Sequence, residues 1–197
     1  MRQFVSMEEA FGEIEEHAAE RQISTARVPI EEAVGRVLAE PAVAELSIPP
    51  FNNSARDGVA LSAAGLDAVR SGTPIPLAGE LRAGDSVEVA NGIRGDAVRI
   101  MTGAPVPVWA DTIVMIENLD LKDDGTVVVN QSPESGAWIR PQGSDISEGS
   151  IILKPGRRII PEHVQALASS GVIDLVVHTK PRVGLCSTGE ELVDVKS

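Results

Sequence analysis

Apolar side chains recur at Ala10, Phe11, Ile14 and Ala18 with polar residues between them, the spacing of one face of a helix. Ser6 with Glu9 three residues later is a capping-box pair, so a helix is predicted over residues 7–21. Ile30, Ala33, Val34, Val37 and Leu38 repeat the spacing after Pro29, which suits a first turn, and Pro41 stops the run. From residue 42 to about residue 153 the pattern changes to short β-branched runs separated by Gly, Pro, Asn and Asp, at residues 86–89, 97–101, 112–116 and 126–129. Asp123-Asp124-Gly125 lies between two such runs and reads as a hairpin turn. Pro161 opens a third helix with Val164, Leu167 and Ala168 on one side, and Gly171 suits the position just past its end. Residues 172–177 and 183–186 read as buried strands. The pattern predicts an α+β (mixed α/β) chain in which a β-rich domain, residues 46–146, is inserted into a small α/β scaffold domain made of residues 1–45 and 147–180.

Composition narrows the classes without changing this picture. The chain has 197 residues, enough for one large or two modest domains. Its 29 Asp and Glu against 17 Lys and Arg give a formal charge of −12, which argues against a nucleic-acid or anionic-membrane surface. A single cysteine, Cys186, cannot form an intramolecular disulfide. No apolar run reaches membrane-spanning length, and the start of the chain lacks a signal-peptide segment. The expectation is a cytoplasmic protein without membrane insertion.

Four loops carry candidate chemistry. In residues 49–58, turn formers surround Phe51 and end in Asp57-Gly58, where a carboxylate could face a cation or a phosphate-bound metal; an Asx-type turn is the plainer reading. In residues 99–107, Thr102 could donate its hydroxyl and neighbouring amides, that of Gly103 included, could hold an oxyanion, or the segment could be a simple turn. Arg140 precedes Asp145 in a loop shaped by Pro141 and Gly143; Arg can hold phosphate while Asp takes magnesium, or the two can form a surface ion pair. Residues 187–192 follow an expected strand and carry Glu190 and Glu191, suited to a metal or to a helix start. His17, His163 and His178 lie in separate elements without ligand spacing, which makes a zinc site improbable. Neither a Walker loop nor a dinucleotide fingerprint occurs. Cys186, in an apolar run, reads as a core thiol.

Together and in this order the loops resemble the molybdopterin molybdenumtransferase family, that of MoeA and the gephyrin E-domain. Residues 53–58, Asn-Ser-Ala-Arg-Asp-Gly, are similar to the family's Ser-Ala-Met-Asp-Gly-Tyr-Ala signature, and residues 95–105, Gly-Asp-Ala-Val-Arg-Ile-Met-Thr-Gly-Ala-Pro, to its most recognisable stretch. Residues 110–117 match a family strand ending in Glu, residues 140–145 its Arg-x-x-Gly-Glu-Asp loop, and residues 181–192 its Pro-Arg-Val strand and Ser-Thr-Gly-Asp-Glu-Leu turn. Asn52, Arg56, Val59, Ser144 and Glu190 stand where the family usually has Asp, Met, Tyr, Glu and Asp.

The resemblance implies insertion of molybdate into adenylylated molybdopterin, with Mg2+ and release of AMP. It places Asp57, Thr102, Asp145 and Glu191 at catalytic positions, Arg140, Ser54 and Gly103 at substrate or phosphate positions, and Asp57, Asp145 and Glu117 at the metal. It also implies an elongated homodimer with its cleft between subunits, and a possible encounter with molybdopterin adenylyltransferase. Residues 181–197 would then be the first strand and turn of a third, molybdopterin-binding α/β domain, on which the first helix would pack. The chain alone would be inactive. The alternative within the resemblance is a gephyrin-like scaffold that binds the tails of receptors or of a cytoskeletal tubulin homologue.

Overall fold

The structure, a computed structural model, describes residues 5–21, 23–131, 133–187, 189 and 191–194. The chain is of mixed α/β content and divides into two compact units. The smaller comprises Met1–Ala42, Leu153–Gln165 and Ile173–Ser197; the larger comprises Val43–Ile152 and Ala166–Val172.

The smaller unit is built on an antiparallel pair, Thr25–Pro29 with Asp174–His178, in register from Thr25 opposite His178 to Pro29 opposite Asp174. Val28, Leu175 and Val177 turn inward and are buried, as the two-residue period of a strand requires. The second predicted helix is shorter than its apolar spacing suggests. It covers only Ile30–Ala33, because Gly35 takes φ +81° and reverses the chain. Val37 and Leu38 then form bridges to Arg158 and Val177 instead of a further helical turn. The first helix, Met7–Glu20, has the expected capping box in full, with Ser6 and Glu9 each accepting the other's backbone N–H. None of its residues is buried.

The core of the larger unit is a four-stranded sheet ordered Glu80–Leu81, Ala97–Ile100, Gly58–Leu61, Thr112–Met115; the first pairing is parallel and the other two antiparallel. All four residues of Gly58–Leu61 are buried, so both sheet faces are covered. One face carries Ala60, Leu81, Val98, Ile100 and Ile113. The other carries Val59, Leu61, Ala97 and Val114 against Leu66, Ile75 and Val127. Leu66 comes from the helix Ala63–Arg70, capped by Ser62. Ile75 and Val127 come from a second sheet ordered Ile75–Pro76, Thr126–Val129, Leu119–Leu121. Its hairpin turns at Gly125, φ +80°, where Asp124 accepts from Thr126.

Residues 86–89, predicted as a strand, are instead the start of the helix Val87–Gly92. Ser86 caps it by accepting from Val89 N–H, and Ala90 is driven into the first core face. Residues 183–186 form no strand, and Val183, Leu185 and Cys186 are exposed. An apolar run becomes a strand only where an edge accepts it, and no described strand pairs with this one. Cys186 is therefore a surface thiol rather than the core thiol that its neighbours suggested. The third helix, Pro161–Ser169, ends as expected, with Gly171 at φ +84° and Val172 N–H returning to Leu167 O.

Candidate functional site

Residues 52–54 run between two other loops and tie them together. On one side Asn53 and Ser54 pair with Arg140 and Ile139, and the Asn52 side chain accepts from Gln142 N–H at 2.8 Å. On the other, Ser54 N–H donates to Ala104 O, Gly103 N–H to Ser54 O, and Val106 N–H to Asn52 O, at 2.8–3.0 Å. Three of the candidate loops, 49–58, 99–107 and 140–145, are thus one backbone assembly within the larger unit.

Ser54 is buried, and its hydroxyl donates to Arg56 O and accepts from Arg56 N–H. This turn swings the chain so that Asp57 meets Thr102. Thr102 donates both its N–H and its hydroxyl to Asp57 Oδ1, each at 2.7 Å. These two bonds, the hydroxyl's first, hold the Asp57 carboxyl below its ordinary range, with the Arg99 guanidinium adding a smaller pull and desolvation opposing. Asp57 is therefore an exposed carboxylate fixed through one oxygen, while Oδ2 receives no hydrogen bond among the described residues. The next residue has to be glycine, since a Cβ at Gly58 would lie 1.8 Å from Val114 O. Asp57 O accepts from Ile116 N–H, which brings the short 3-10 turn Ile116–Asn118, with exposed Glu117, against the same strand end.

The amides offered for an oxyanion at the Thr-Gly turn are otherwise engaged. Those of Thr102, Gly103 and Ala104 donate to Asp57, Ser54 O and Met101 O. Ser54 and Gly103 accordingly shape the site from within. The candidate cation Arg140 pairs through Nη2 with Asp145 Oδ2 at 2.6 Å, both side chains about half exposed. Such a pair adds at most about 1 kcal/mol to stability, so it is readily opened by a ligand. Glu191 is exposed and belongs to the smaller unit; Glu190 lies outside the described residues.

Two features escaped the sequence reading. Trp138 holds φ +61°, strained for an aromatic residue, and the Arg56 guanidinium lies over its ring, 4.9 Å from the centroid. Trp138 also lines a cavity of about 540 Å3 with Ile113, Met115, Asn118 and Glu134. Asn53 Oδ1 is buried without a hydrogen-bond partner in the same assembly. Nothing in the Gly136-Ala137-Trp138 run marks the aromatic as special, because its backbone angle is set by the loop's tertiary fit.

No cluster of three or more His, Cys, Asp or Glu side chains that could hold a metal is drawn together among the described residues. A magnesium ion here would take one or two carboxylates and complete its shell with water and ligand phosphates, its common arrangement. Asp57, whose Oδ2 receives no hydrogen bond among the described residues, has the chemistry of one such carboxylate.

The family described as the MoeA N-terminal region (domain I and II) matches residues 5–171. A molybdopterin molybdenumtransferase of Haemophilus influenzae is 34% identical over 166 residues, 84% of this chain and 40% of that protein. Molybdopterin molybdenumtransferase 2 of Mycobacterium tuberculosis is 37% identical over 167 residues, 84% of this chain and 41% of that protein. The crystal structure of a molybdopterin biosynthesis MoeA protein of Pyrococcus horikoshii superposes with a TM-score of 0.76 at 26% identity, covering 91% of this chain and 45% of that one. The chain spans about two fifths of the length of these curated relatives. With a match that runs through both units and every loop of the assembly around Asp57, the chain belongs to the MoeA N-terminal region family.

Proposed function

We propose that the chain acts in molybdenum cofactor biosynthesis, as part of an enzyme that inserts molybdate into adenylylated molybdopterin and releases AMP. The observation that carries the reading is the Asp57–Thr102 pair, an ionised carboxylate fixed on one oxygen and open on the other, in a loop assembly that also presents Arg140 and Asp145. The substrates are a phosphoanhydride and an oxyanion, and both need positive charge in a chain whose formal charge is −12. In this reading Asp57 and Asp145 hold magnesium, with Glu117 close to the same strand end. The ion would neutralise phosphate charge and polarise the bond to the leaving AMP. Arg140, released from Asp145, would hold a phosphate oxygen. Thr102 keeps Asp57 ionised and aimed. A second subunit would complete the site in the homodimer of the full-length protein.

The test is AMP release by the full-length protein supplied with adenylylated molybdopterin, magnesium and molybdate. Molybdate-dependent turnover is expected to fall by about a hundredfold or more in Asp57→Ala. Equal turnover in the variant would remove Asp57 from the site, and no turnover from a folded wild-type protein would remove the activity.

A further inference from the structure

The smaller unit contains a cavity of about 350 Å3 whose lining includes Arg36, Arg158, His178, Thr179 and Lys180, and none of its described lining residues is acidic. In a chain with 29 acidic against 17 basic residues this grouping runs against the overall balance. The backbone builds it. Gly35 N–H donates to Ile159 O, Ile159 N–H to Arg36 O, and His178 N–H to Val37 O, at 2.8–2.9 Å. Residues 35–37 are thereby held between residues 158–159 and the end of the Asp174–His178 strand, which brings two arginines and a histidine to one place. Arg36 Nη2 donates to His178 O at 2.9 Å, and Arg158 Nη1 to Gly35 O at 3.4 Å. Thr179 N–H donates to Ser24 O, and the two side-chain hydroxyls lie 2.9 Å apart. A guanidinium carries five N–H donors, so these bonds to carbonyls orient each fork without exhausting it. His178 Nδ1 is buried and has no hydrogen-bond partner, an uncommon state for a buried polar atom.

We propose that this cavity is an oxyanion site, taking a phosphate group or another tetrahedral oxyanion on Arg36, Arg158 and Lys180 beside His178. Two forks and an ammonium supply more donors than a single carboxylate accepts and suit an anion with three or four oxygens. Every residue lining it belongs to the smaller unit and none to the Asp57 assembly, and it does not depend on the enzymatic reading.

Calorimetric titration of the 197-residue chain with inorganic phosphate, molybdate and AMP, at matched ionic strength, tests this. Saturable binding is expected for at least one of the three. Arg158→Gln and Lys180→Gln, both at exposed positions, are each expected to weaken it by about tenfold with an unchanged circular dichroism spectrum, and Arg70→Gln, at an exposed arginine of the larger unit, is expected to leave it intact. AMP binding more tightly than phosphate would assign the site to a nucleotide phosphate, and the reverse order to the free oxyanion. No saturable binding of any probe, binding that survives both Arg158→Gln and Lys180→Gln, or binding lost in Arg70→Gln would overturn the proposal.

Discussion

Thr102 meets Asp57 with both of the donors it has, and the charge on Asp57 is linked to stability through them. A carboxyl whose pKa is lowered on folding stabilises the fold above its unfolded range, and that contribution disappears as pH falls through the folded value. Thr102→Val removes the hydroxyl bond, the larger cause of the shift. The stability gap between wild type and variant, measured by urea unfolding, should therefore be largest at neutral pH and shrink on acidification below the ordinary carboxylate range. A gap of constant size from neutral to acid pH would mean that the bond does not favour the charged form. At the neighbouring position the constraint is steric rather than electrostatic. Gly58→Ala would drive a methyl into the Val114 carbonyl of the neighbouring strand, and a loss of about 3 kcal/mol or more is expected from such overpacking. A denaturation midpoint within error of wild type would show that the strand can shift to admit it.

Among the elements, the four-stranded sheet holds most of the core, because its central strand is covered on both faces. Leu81→Ala, at a fully buried position of the short parallel strand, should cost about 2–5 kcal/mol. Phe11→Ala, on the exposed first helix, should change stability by no more than about 0.5 kcal/mol. Equal losses in the two would contradict the burial pattern. The first and third helices, the hairpin at Gly125 and the strands at residues 97–100 and 112–115 were legible because capping chemistry, turn chemistry and strand period are written locally. The helix after Pro29 was over-read, since its apolar spacing continues past Gly35 into residues that bridge to other segments. The segment at residues 86–89 was misread because Val87 and Val89 look like strand residues, while Ser86 and a neighbouring core decide for a helix. Asp57, Thr102, Arg140 and Asp145 were each visible as polar residues in glycine-bearing loops. The Arg140–Asp145 ion pair, five residues apart, was one of the two readings of its loop, whereas the Asp57–Thr102 pair and the stacking of Arg56 on Trp138 depend on contacts between residues far apart in sequence.

At the scale of the whole molecule, the loop assembly lies in one compact unit and the cationic cavity in the other. The curated relatives named above are more than twice as long as the chain. The two units can also be followed separately in solution. The chain has no tyrosine and two tryptophans, Trp109 and Trp138, both in the larger unit. Trp109 is partly buried, with its indole N–H on Ile93 O, whereas Trp138 is exposed beneath Arg56. Tryptophan emission from this protein thus originates in the larger unit alone. Opening of the smaller unit should be silent in emission yet visible in far-ultraviolet dichroism, and coincident transitions in the two signals during a denaturant titration would mean that the units unfold as one.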